Sequence, residues 1–182
     1  ANDHDRPHRD IVAETVTSDT VWRWATFAQR LLTSDEEGNN MGTHTISKAS
    51  HRGIGYSVVE LNDVRHVFAA GVPRRGTTLR QQADDALCTI EAVIQEEGTR
   101  GSIVHQAVFV PDVALIDECR RIIREFYGSE LPATSYIPQP PCDGKLLAIE
   151  ALGVGRGMGE VQIERVSEQL VITRHNDIAW VH

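Results

Sequence analysis

Glu150 stands alone in an otherwise apolar run, LLAIEALGV, at residues 146–154. A carboxylate in such a setting must be paired, or else it shifts its pKa toward the neutral form. A carboxyl with a raised pKa is suited to general acid–base work, giving a proton to a substrate or activating water. The structural alternative is a carboxylate satisfied by a backbone amide or an arginine. Just upstream, PATSYIPQPPC at residues 132–142 carries the hydroxyls of Thr134, Ser135 and Tyr136 and the thiol of Cys142. No cation adjoins Cys142 to lower its pKa, so it reads as a small loop hydrophobe rather than a nucleophile.

Other reactive side chains give no recognisable pattern. His105 lies in an apolar strand, as a neutral, hydrogen-bonded core histidine would. His44, His51 and His66 have no metal-ligand spacing, and Pro7 between His4 and His8 argues against a helical pair. No metal and no cofactor is expected. GVGRGMGE, residues 153–160, lies between two strands, whereas phosphate-cradling loops need a helix start after the glycines.

The elements that must position these residues follow from hydrophobic spacing. Residues 1–17 read as a polar arm. From Ser18 to Ser34 an apolar face of Trp24, Phe27, Ala28 and Leu31 predicts a helix, with Trp22 beside it as part of a docking face. DEEGNN, residues 35–40, reads as a loop. Three β-prone runs follow, at 43–49, 54–61 and 64–72, with a hairpin turn at Asn62-Asp63. Thr78 and Gln81 have capping-box spacing. They start a helix whose face is Leu79, Ala83, Ala86, Leu87, Ile90, Val93 and Ile94, with Gly98 as its stop. A strand at 103–110, an Asp112 cap, a helix from Leu115 to Phe126 closed by Gly128, and strands at 133–137 and 146–152 complete the order β-β-β-α-β-α-β-β. Residues 161–166 and 170–174 read as a hairpin about residues 167–169. The final IAWVH is either an added strand of the same sheet or an arm reaching a neighbour.

Two helices on one face of a mixed sheet make an α+β two-layer fold. The other face also has apolar residues, so a second subunit is the expected cover. The chain divides into an arm and helix (1–40), a central domain (41–155) and a C-terminal β-hairpin extension (156–182). At 182 residues it can build one sizeable core. Its 18 Lys and Arg against 26 Asp and Glu leave a net charge of −8, which argues against nucleic-acid and anionic-membrane partners. Three dispersed cysteines suggest reduced thiols. Without an apolar run of spanning length or a signal-peptide core, a soluble cytoplasmic protein is expected.

In order, FAAGVPRRG, the helix TLRQQADDALCTIEAVIQEEG, SIVHQAVFVPDVALIDECRRIIREFYG, LPATSYI and LLAIEALGV resemble the YjgF/RidA enamine and imine deaminases, over roughly residues 43–154. The resemblance implies a chorismate-mutase-like fold assembled as a homotrimer, with small-molecule clefts between subunits. Active deaminases of the family have Pro-Ala-Arg-Ser where this chain has Pro132, Ala133, Thr134 and Ser135. That arginine grips a substrate carboxylate, and a threonine hydroxyl lacks its charge and fork of donors. Arg74 or Arg75 would then have to supply the cation. The family's closing-strand carboxylate matches Glu150. Thr134, Tyr136, Cys142 and Glu150 also resemble the second half of the chorismatases, which hydrolyse a vinyl ether.

The expected site is an inter-subunit cleft for a small anionic metabolite. Glu150 would be the catalytic residue, and Thr134, Ser135, Tyr136, Arg74, Arg75 and Cys142 would bind substrate. The expected reaction is hydrolysis of an enamine, imine or vinyl ether. The alternatives are a chorismatase-like hydrolase and a non-catalytic metabolite-binding or scaffold trimer that meets protein partners through its terminal extensions.

Overall fold

The computed structural model describes residues 45–98, 100–155 and 160–182. The chain divides after Met41 into two compact units, and the described residues all belong to the second. The expected N-terminal helix, with Trp22, Trp24 and Phe27, and the glycines of the GVGRGMGE loop at positions 157 and 159 lie outside the described residues.

Strands β1 (Thr45–His51), β2 (Ile54–Leu61) and β3 (Val64–Gly71) form an antiparallel meander. Both of its turns have two residues with positive φ: Arg52 and Gly53 at 49° and 77°, Asn62 and Asp63 at 51° and 64°. This backbone matches the right-handed twist of paired strands, and Asn and Asp tolerate it without glycine. Helix α1 (Leu79–Glu97) opens with the expected capping box: Gln81 N–H donates to the Thr78 hydroxyl, and the Gln81 side chain accepts from Thr78 N–H. Strand β4 (Ile103–Val110) leads to helix α2 (Ile116–Tyr127). Asp112 caps a short 3-10 turn, Val113–Leu115, rather than α2 itself.

Strands β5 (Ala133–Pro138) and β6 (Ala148–Val154) complete a six-stranded sheet in the order β1-β2-β3-β6-β4-β5. Only β4 and β5 are parallel. The last of these six strands in sequence, β6, is therefore internal, with β3 on one side and β4 on the other. Both helices pack on one face, where Leu87, Ile90, Ile94, Ile122 and Ile123 meet Val58, Val67, Val108, Ile149 and Ala151. The approach of α1 to β3 is close enough that a Cβ at Gly71 would lie 2.6 Å from the Ala86 carbonyl. Tight contact selects glycine there.

The opposite face is covered in part by the chain itself. Strands β7 (Gln162–Ser167), β8 (Leu170–His175) and β9 (Ile178–Val181) form a separate antiparallel sheet. Val171, Ile163 and Trp180 pack on Val64, Val104, Leu152, Val154 and Ala133. The expected hairpin is present, turning at Glu168 and Gln169. The IAWVH segment, however, neither extends the main sheet nor leaves the subunit: β9 is the hairpin's third strand. Sequence spacing alone does not distinguish these outcomes, because a four-residue strand pairs equally well with any free edge.

One arginine fastens this sheet down. The Arg165 guanidinium donates to the carbonyls of Leu131 (2.9 Å), Gly101 (2.6 Å) and Ile103 (3.2 Å). Its own desolvation lowers its pKa, and hydrogen bonds from a charged donor are the stronger kind. Arg165→Met should therefore cost roughly 1.5–3 kcal/mol. Hydrogen exchange should accelerate in β7–β9 before β1–β6, and uniform acceleration would show that the second sheet is not a separable layer.

Candidate functional site

Strand register places Glu150. It lies between Ala70 of β3 and Ala107 of β4, on the face opposite the helices. Its rows on that face run Ala70, Glu150, Ala107, Ser135 and then Phe68, Leu152, His105, Ala133. The start of β6 is set by Gln82 of α1, whose buried amide accepts from Leu146 N–H at 2.8 Å and donates to the Gly76 carbonyl at 3.1 Å. Glu150 is thus not the core carboxylate that its apolar run suggests. It is exposed in the single subunit, at the border where the second sheet stops. The apolar strand is real, but at Glu150 one side of it has no cover among the described residues.

The carboxyl has no hydrogen bond or ion pair among the described residues. Its neighbours across the strands are alanines, Phe68 and His105 are diagonal to it, and Leu152 lies two residues along its own strand. Partial desolvation with no offsetting cation raises its pKa. Beside it, Phe68 and Val72 are each 46% exposed.

Thr134 and Tyr136 point the other way, toward α2. The Thr134 hydroxyl donates to the Pro132 carbonyl (2.9 Å) and accepts from Gln106 Nε2 (3.0 Å), while Gln106 Oε1 accepts from the Tyr127 hydroxyl (3.2 Å). Thr134 is therefore engaged internally. Tyr136 lies under Arg120 of α2, with the guanidinium 5.1 Å from the ring centre. Burial pushes its phenol up to about 12, although Arg120 pulls the other way.

Ser135 is exposed and shares the face of Glu150, one strand beyond Ala107. Arg74 and Arg75 follow the end of β3. Their backbone N–H groups donate to Asp85 Oδ2 at 2.7 and 3.3 Å, and the Arg74 guanidinium reaches the Gly53 carbonyl at 3.4 Å. Cys142 is exposed in the 3-10 turn Cys142–Gly144. Within one subunit these seven residues do not converge. Glu150 and Ser135 share one face, Thr134 and Tyr136 occupy the other, and Arg74, Arg75 and Cys142 lie in loops.

A polar groove of about 480 Å³ lies along β5 between α2 and the C-terminal sheet; it brings together the expected Thr134, Ser135 and Tyr136 with His105, Arg120, Gln169 and His182, which the sequence reading did not place there. His105 shares the groove's face with Ala107 by the ordinary alternation of β4. His182 Nε2 is 3.0 Å from the Thr173 hydroxyl. Burial, then the nearby His105 and His66, lower its pKa to about 4. His66 is buried edge-on to Trp180 at 5.3 Å, and desolvation lowers its pKa and that of His105.

No protein-family model and no curated protein matches the sequence. Solved structures do. A YjgF-family protein from Neisseria meningitidis superposes with a TM-score of 0.52 at 20% identity, covering 62% of this chain and 96% of that one. The fold is that of the YjgF proteins. Yeast Mmf1 matches at TM-score 0.52 and 15% identity, over 62% of this chain and 100% of its own. A Salmonella typhimurium protein proposed as a translation initiation inhibitor matches at 0.53 and 16%, over 61% and 98%. These matches account for about three fifths of the chain, and the YjgF likeness extends to the mixed sheet and its two helices.

Two tests follow from this geometry. Thr134→Val should destabilise the fold by about 1–3 kcal/mol, since it leaves Gln106 and the Pro132 carbonyl without their partner; chemical denaturation reads the change. The histidines set an acid limit. Because their folded pKa values lie below the ordinary 6.5, the unfolded chain binds protons first as pH falls. Their effect is nil well above pH 6.5, and stability drops from there toward pH 4. Urea midpoints across that window should fall, and less steeply in His182→Asn.

Proposed function

We propose that the chain is a YjgF/RidA-type homotrimer with a small-molecule cleft between subunits, in which Glu150 is the general acid. The observation that carries this reading is a carboxyl with a raised pKa that has no partner among the described residues, at the edge of an apolar strip that none of them covers. A second subunit over Phe68, Val72 and Ala70 would bury that strip and desolvate Glu150 further. Thr134, Ser135, Tyr136, Arg74, Arg75 and Cys142 would enter the cleft only through such an assembly, with Arg74 or Arg75 giving the cation that Thr134 lacks.

The reaction is hydrolysis of an enamine, imine or vinyl ether of a small anionic metabolite. Glu150 gives its proton to the substrate's electron-rich carbon, or to the imine nitrogen, leaving a cationic centre at the adjacent carbon. Water adds there and loses a proton to the Glu150 carboxylate. The tetrahedral adduct then expels ammonia, an amine or an alcohol and leaves a carbonyl. Protonated Glu150 is the active form, so the alkaline limb of the rate profile should lie above the ordinary carboxylate range.

The internal engagement of Thr134 favours a second reading, a trimer that binds a metabolite or a protein partner without turning it over. A panel of enamines, imines and chorismate separates the two. Glu150→Gln should lower turnover at least 100-fold while sedimentation still gives a trimer. Full activity in that variant, or a monomeric wild type, would reject the mechanism.

A further inference from the structure

Glu150 has a titratable neighbour on its own face of the sheet. Sequence spacing suggests that His105 is a hydrogen-bonded core histidine, yet the imidazole is only half-buried and has no hydrogen bond or ion pair among the described residues. Strand register fixes where it stands. Glu150 pairs with Ala107 and Leu152 with His105, so the carboxyl and the imidazole occupy opposite corners of a four-residue square. Diagonal positions of an antiparallel pair lie about 7–8 Å apart, within reach of long side chains. The corner directly opposite Glu150 is an alanine, which leaves the space between the two groups unfilled.

Desolvation alone moves each pKa, and no hydrogen bond joins the two. A gap of this size is one that a substrate can fill: acid and base groups about 6.5–9.5 Å apart hold a reacting centre and a water between them in glycoside hydrolysis. The directions of the shifts are also complementary. Burial favours the protonated carboxyl of Glu150 and the neutral imidazole of His105, so one group has a proton to give and the other a basic nitrogen.

The hydrolysis proposed above has a step for that nitrogen. Glu150 gives its proton to the substrate and regains one from water, but breakdown of the tetrahedral adduct requires a further transfer, from the carbinol hydroxyl to the departing nitrogen or oxygen. We infer that His105 is the catalytic residue that makes this transfer. Its basic nitrogen takes the carbinol proton as the C=O bond forms, and the imidazolium hands it to the leaving amine or alkoxide as the C–N or C–O bond breaks. Both groups finish as they began, Glu150 protonated and His105 neutral. The assignment rests on the proposed hydrolysis and adds a second residue to it.

Rapid mixing of the full chain with the N-methyl imine of pyruvate and with chorismate separates the steps, because loss of the double bond and release of methylamine or alcohol are read independently. In His105→Gln the double bond should disappear at the parental rate in the first turnover, while release lags and steady-state turnover falls about tenfold or more. Glu150→Gln should instead slow loss of the double bond. Added imidazole should restore release in His105→Ala, which a packing role would not allow. In the parent, nitrogen NMR should show a neutral His105 at pH 7, whether or not the variants fold. Parental turnover in His105→Gln, slowed double-bond loss in that variant, no rescue of a folded His105→Ala, or an imidazolium at pH 7 would each overturn the role of His105 and leave that of Glu150 standing. Full activity in Glu150→Gln, or no turnover by the parent, would overturn the underlying hydrolysis and this assignment with it.

Discussion

A six-stranded sheet has two faces, and the helices among the described residues cover only one. The main sheet's helix-free side must be covered by something else, and everything of functional interest lies along that requirement. The chain's own C-terminal sheet covers the end near Val64, Val104 and Val154, held by the three carbonyl contacts of Arg165. It stops short of Phe68, Ala70 and Val72. Glu150 sits on that boundary, and its raised pKa is the electrostatic mark of a carboxyl set among apolar neighbours with no cation to offset them.

The same boundary gives the molecule two different surfaces. On one side, exposed apolar side chains around a carboxyl are an incomplete surface, of the kind that a symmetric assembly completes. On the other, the C-terminal sheet closes against β5 and α2 to form a polar groove. The Arg124–Glu168 ion pair and the bond from Thr134 N–H to the Glu168 carbonyl, at 3.0 Å, tie the β7–β8 turn to α2 and β5.

Much of the main domain was legible in the sequence because its signals are local. The Thr78–Gln81 capping box, the apolar stripe of α1 and the Asn62-Asp63 turn each specify their own conformation. What was not legible depends on register and on long-range packing. A strand pattern with apolar residues on both sides implies two covers but does not identify them, so the part of that face on which the chain's own C-terminal sheet packs could not be foreseen. Alternation likewise puts Thr134 and Glu150 close in the chain's chemistry, whereas strand pairing sends them to opposite faces. The register shift between Ile103 and His105 has no sequence signature. His182 could be assigned no role until its strand was placed.

The account depends most on the protonation of Glu150. The direct measurement is a carbon NMR titration of the side-chain carboxyls in the assembled protein, with the Glu150 resonance assigned by its loss in Glu150→Gln. A pKa above the ordinary value of 4.5, and higher in the assembled protein than in a dissociated subunit, is the predicted result. A pKa at or below 4.5 in the assembly would mean that the carboxyl is solvated or paired with a cation, and would remove it as the proton donor.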